Sequence, residues 1–157
     1  MSELKALKEL EQILQETRKV FLRVMETEEK LQDHIVKGEA SEILELEPLR
    51  QQLQQEAQRL KDRREEILPS GCSVRSYIRD NASPGEREDF LSLFEEINNL
   101  VYQVRAHQEV NRGLLQERLR FVREMREVLF PSEKTYDPSG QLNFQEGNKN
   151  INLDQSC

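Results

Sequence analysis

Apolar residues recur at heptad spacing through residues 1–37. Leu7, Leu14, Phe21 and Ile35 share one heptad position, broken only by Glu28. Leu10, Val24 and Leu31 share the position three residues on, broken by Thr17, and Ala6, Ile13 and Val20 add a third flank. The stripe is broad, as on a helix packed in a bundle, and wider than a two-position coiled-coil seam. No Gly or Pro interrupts it before Gly38, which follows Lys37, a C-terminal helix signature. The pattern therefore predicts a first helix over about 3–37.

A second stripe, Leu46, Leu53, Leu60 and Ile67, with Leu49, Ala57 and Leu68 beside it, predicts a helix over about 42–68. Ser41 is its candidate N-cap. Pro48 suggests a short turn at 41–46 before the main helix, because proline is tolerated in a first turn and disruptive further in. Pro69, Ser70 and Gly71 stop this element. Residues 72–82 have room for one short helix, about 73–80, with Val74, Tyr77 and Ile78 on one side. Ser83-Pro84-Gly85-Glu86 then sets Ser at N-cap, Pro at N1 and Glu at N3, a capping box.

The helix it opens is predicted over about 84–130. Phe90, Ile97, Val104 and Met125 share one heptad position. Leu93, Leu100, Leu114, Phe121 and Val128 share the next, and Phe94, Val101, Leu115, Val122 and Leu129 flank them. Pro131 ends it. The remaining residues, 131–157, hold two Pro, two Gly and four Asn with apolar residues too scattered for periodicity. The expected architecture is all-α: an antiparallel up-down-up three-helix bundle of long, unequal helices over 1–130, with coiled-coil-like packing, followed by a flexible polar tail over 131–157.

Composition supports this and removes several functions. Ala, Glu, Lys, Leu and Arg make up nearly half of the 157 residues, as in long helices. The net charge of −7 and a pI near 5.1 argue against nucleic-acid binding, which needs a basic surface. No apolar run approaches the roughly 18 residues of a membrane span, and the charged start MSELKALKELEQ does not read as a secretory leader. Two cysteines, Cys72 and Cys157, make neither a disulfide framework nor a four-ligand zinc site. No cofactor is expected, since the chain has no Gly-rich phosphate loop and no Gly-x-Ser-x-Gly elbow. His34 and His107 also lack the Glu-x-x-His spacing of di-iron bundles.

Two features stand out for binding. His107 and Asn111, with Gln108 between them, interrupt the stripe of the third long helix. They are either a polar layer that fixes register or polar contacts to a partner. The run GLLQERLRFVREMREVLF over 113–130 is apolar on more than one face through Leu114, Leu115, Leu119, Val122, Met125 and Leu129. At 1.5 Å per residue the predicted long helices measure roughly 50, 40 and 70 Å. Helices so unequal cannot bury one another end to end. An apolar overhang is a candidate docking surface, while packing on the first helix or on a second copy is the structural alternative.

The order of these features resembles the FlgN-type flagellar export chaperones. The resemblance rests on Glu29-Lys30-Leu31 and Ile35-Val36-Lys37-Gly38 closing the first helix, and on Arg59-Leu60-Lys61-Asp62-Arg63 near the end of the second. It rests most on Val110-Asn111-Arg112-Gly113-Leu114-Leu115, Leu119-Arg120-Phe121-Val122 and Thr135-Tyr136-Asp137-Pro138-Ser139-Gly140. It covers about residues 4–142. It implies a non-enzymatic protein of the bacterial cytoplasm that binds the C-terminal helical segments of the hook-associated junction proteins FlgK and FlgL. Such a chaperone prevents their premature assembly and brings them to the type III export apparatus. It also implies client binding by the C-terminal half and a contact of a tail aromatic, here Tyr136, with the export gate. A monomer or a homodimer is compatible with this. The rival readings are a structural module whose stripe serves only self-association, and a metal-dependent enzyme on a helical bundle, which the missing ligand motifs disfavour.

Overall fold

The structure is a computed structural model that describes residues 3–131. It contains four helices, α1 (Glu3–Lys37), α2 (Ala40–Ile67), α3 (Val74–Asn81) and α4 (Pro84–Leu129), and no strand among the described residues. The short element is thus a full member of the fold, which has four helices where three were expected.

α1 is the hub. It packs against both α2 and α4, which do not pack against each other, and α3 fits between α1 and α4. Ion pairs set the directions. As the α1 partner advances from Glu16 to Arg23 to Glu28, the α2 partner retreats from Arg63 to Glu56 to Arg50, so α1 and α2 are antiparallel. Between α1 and α4 the contacts Arg18–Glu96, Glu28–Asn111 and Val36–Arg118 advance together at offsets of 78, 83 and 82 residues, so these two helices run parallel.

The stripes read from the sequence meet across these interfaces. Leu7, Leu10, Leu14 and Phe21 of α1 pack with Phe90, Phe94, Ile97, Val101 and Val104 of α4, and Val74, Tyr77 and Ile78 of α3 complete this core. A smaller cluster of Ile13, Val20 and Leu60 joins α1 to α2. Only Leu53, Leu60 and Arg64 of α2 are buried, because α2 is covered on one side only. Thr17, at a core position of α1, donates its hydroxyl to the Ile13 carbonyl at 2.7 Å and so meets its hydrogen-bonding need within its own helix.

The turns follow backbone chemistry. α1 ends in a Schellman motif: Gly38 takes φ +73°, its N–H donates to the Ile35 carbonyl, and the Glu39 N–H donates to the His34 carbonyl. α2 starts at once, with the Ile43 N–H bonding the Glu39 carbonyl. This corrects two expectations. Ser41 is not the N-cap, and residues 41–46 are not a separate turn, because α2 runs unbroken through Pro48. The reversal at Gly38 delivers the chain in helical geometry, and Pro48 costs one backbone hydrogen bond on an exposed face. Ser83 caps α4 by accepting from the Glu86 N–H, and Ser73 caps α3 by accepting from the Ser76 N–H at 3.1 Å.

Candidate functional site

The α4 stripe divides into three zones. From Phe90 to Val104 it is filled by α1 and α3. At Asn111 it is polar and buried. Beyond Arg118 it is bare.

Asn111 is 2 % exposed. Its Nδ2 donates to the Glu28 carboxylate at 2.8 Å and to the Glu28 backbone carbonyl at 3.0 Å. Glu28 is also 2 % exposed, and its other carboxylate oxygen accepts from Arg50 Nε at 3.0 Å. One residue from each of α1, α2 and α4 thus meets in a single polar node. Asn111 Oδ1 accepts no hydrogen bond. Turning the amide over would set that oxygen against the carboxylate, so the observed orientation is the one the charges allow. Asn111 serves the interior of the protein, and His107 beside it is half-buried. Gln108 lines a shallow notch with Val24, Thr27 and Leu53 next to the node.

Arg118 marks where α1 runs out. Its guanidinium donates to the Val36 carbonyl in the last turn of α1 and lies over Gly38, where an added Cβ would come within 2.9 Å of it. Leu114 and Leu115, just before it, are half-buried. Past it, Leu119, Val122, Met125 and Leu129 are exposed, and so are Phe121, Val128 and Phe130. The bare length, residues 119–129, measures about 16 Å at the helical rise. Every apolar residue in it points to solvent or lies along its surface, whereas on α1 the large exposed apolar residues are scattered singly as Leu4, Leu22 and Val36. Tyr136 lies outside the described residues.

No cluster of three metal-ligating residues occurs among the described residues. A cleft of about 420 Å³ between the N-terminal halves of α1 and α4 is lined by Leu7, Glu11, Arg18, Glu86, Asp89 and Phe90. Cys72 is half-buried, with its Sγ 3.4 Å from the Ser73 carbonyl. No described helix is long and apolar enough to cross a membrane.

Sequence reasoning singled out Asn111 but missed Glu28 as its partner and Arg50 as the partner of Glu28. The available signal was that Glu28 and Asn111 each break a core heptad position on different helices. Arg118, which falls on the same heptad position as Asn111 and Met125, was missed as well.

Comparison with known proteins settles the family. The model of the FlgN protein family matches residues 1–143. The chain belongs to the FlgN family. FlgN proteins are flagellar export chaperones, and the bare end of α4 suits that role. The FlgN match includes residue 136 and stops short of the last fourteen residues. No curated protein and no solved structure matches the chain.

Proposed function

We propose that this FlgN-family chain is a cytoplasmic, non-enzymatic chaperone for hook–filament junction proteins of the FlgK and FlgL type. It holds their C-terminal helical segments, blocks premature assembly and delivers them to the type III export apparatus. The observation that carries the reading is the bare end of α4, where Leu119, Phe121, Val122, Met125, Val128, Leu129 and Phe130 are exposed in one stretch.

The apolar stripe that α1 fills over most of α4 continues past the end of α1, so a second amphipathic helix has a seat prepared for it. Recognition is of the helix-in-groove kind, with anchors at i, i+3, i+4 and i+7. Leu115, Leu119, Val122, Met125 and Leu129 are the client contacts on this reading, with Leu114 at the inner edge. Tyr136 carries the contact with the export gate.

The test is a binding assay with purified junction protein and the triple variant Leu115→Ala, Val122→Ala, Leu129→Ala. We expect the stoichiometric complex of the wild-type chain to be lost while far-UV circular dichroism remains helical. Undiminished binding by the triple variant would show that the client sits elsewhere. A dimer that persists at low concentration, with residues 119–129 protected, would favour self-association instead.

A further inference from the structure

Among the described helices α2 packs on α1 alone. Only Leu53, Leu60 and Arg64 of its 28 residues are buried, and no residue of 40–49 is. Pro48 takes one backbone N–H out of that weaker part. The apolar cluster that holds α2 is small: Ile13, Val20 and Leu60, with Val24, Ala57 and Ile67 partly buried around them. The larger core, which joins α1, α3 and α4, takes no residue from α2 itself. Two of the ion pairs to α1, Arg63–Glu16 at 3.4 Å and Arg23–Glu56 at 3.6 Å, are open to solvent and add little.

The polar node does not lock α2 in place. When Arg50 leaves, Glu28 keeps both contacts from Asn111, which belongs to α4. Water enters on the side that Arg50 vacates, so the carboxylate is not stranded in a dry interior. A helix packed on one side also keeps little structure once it lets go, because most helical stability in proteins comes from packing.

We propose that α2 is a strap that opens as a unit while α1, α3 and α4 stay folded, uncovering a second apolar face on α1 at Ile13 and Val20. Both ends of the strap are tied. One is the Gly38 turn, and the other is Leu68, which is buried in the same core as Val74 and Ile78. The opened segment stays tethered beside α1 and closes again without leaving the molecule. Opening breaks only the smaller cluster, so it lies below global unfolding in free energy. The inference is independent of what binds the end of α4.

Native-state hydrogen exchange on the full chain tests it. Amides of 50–66 should exchange at least about tenfold faster than those of 90–104, and should converge on one protection value as a little urea is added. Two variants then separate the strap from the body. Ile97→Val weakens the core that the open and closed forms share. It should speed exchange at 90–104 by about two- to tenfold and leave 50–66 unchanged. Leu60→Ala weakens the closed form alone and should speed 50–66 by about thirtyfold or more, while 90–104 stay the slower set. Matching rates at 50–66 and 90–104 in the wild-type chain would overturn the strap. Equal acceleration of both segments by Ile97→Val would show a single cooperative unit and overturn it too. So would complete loss of protection at 90–104 in Leu60→Ala, since the body would then not stand without α2.

Discussion

Asn111 of α4 grips Glu28 of α1 twice from one nitrogen, at the carboxylate and at the backbone carbonyl of the same residue. The double contact ties the register of α4 to the backbone of α1 and to its charge together. With Arg50 on the third side, the node joins all three long helices at the point where apolar packing along α4 gives out.

Asn111→Ala removes both hydrogen bonds and leaves the buried carboxylate with Arg50 alone. We expect a loss of about 1–3 kcal/mol in urea denaturation, the range for stranding a buried polar group. Replacing Glu28 and Asn111 together by Leu should recover much of that loss, because Arg50, with its side chain 29 % exposed, can turn to water. A double-mutant cycle measures the coupling, and additive losses would show that the node is energetically idle.

Gly38→Ala is expected to destabilise for two separable reasons. The left-handed φ of +73° costs a residue with a Cβ about 1–2 kcal/mol, and the new carbon crowds Arg118. Adding Arg118→Ala should relieve the second cost and leave the first. Thermal or urea unfolding of the two variants checks this.

Exposed and buried apolar residues on the same fold should differ in how much stability they carry. Val122→Ala and Leu129→Ala, at 61 % and 63 % exposed positions, should change stability by no more than about 0.5 kcal/mol. Leu10→Ala, at a fully buried position, should cost about 2–5 kcal/mol. If the two α4 variants unfold as readily as the Leu10 variant, something covers the end of α4 in solution.

The Asp33 carboxyl is held below its ordinary range, chiefly by a hydrogen bond from Lys37 at 2.9 Å. Its folded pKa is depressed, so its small contribution to stability is complete above the ordinary carboxylate value and is lost as pH falls through the folded one. Carboxyl NMR should place its midpoint below that of an unpaired Asp. Lys37→Met should move the midpoint back up.

Helix placement was legible where the chain carries strong breakers. Gly38 ends α1, and the capping box at Ser83 opens α4, because a positive φ and an unpaired N–H each call for particular residues. The start of α2 was not legible from Ser41 and Pro48, since the turn before it, rather than a capping side chain, sets the geometry. The polar node was half legible. Glu28 and Asn111 each break an apolar stripe, but pairing them requires the parallel register of α1 and α4. That register depends on packing between segments some eighty residues apart. The bare end of α4 was legible from helix length alone, while its boundary at Arg118 depended on where α1 stops.

The parallel pairing of α1 with α4 also has a consequence for how the chain is made. α1 leaves the ribosome well before its main partner, because its contacts in α4 lie 78 to 83 residues later. Until α4 emerges, the stripe of Leu7, Leu14 and Phe21 has only the short α3 to rest on, while Ile13 and Val20 can already pack on Leu60 of α2. The nascent chain therefore passes through a stage with a long unsatisfied helix of its own. It closes on itself only when residue 111 has emerged and the polar node can form.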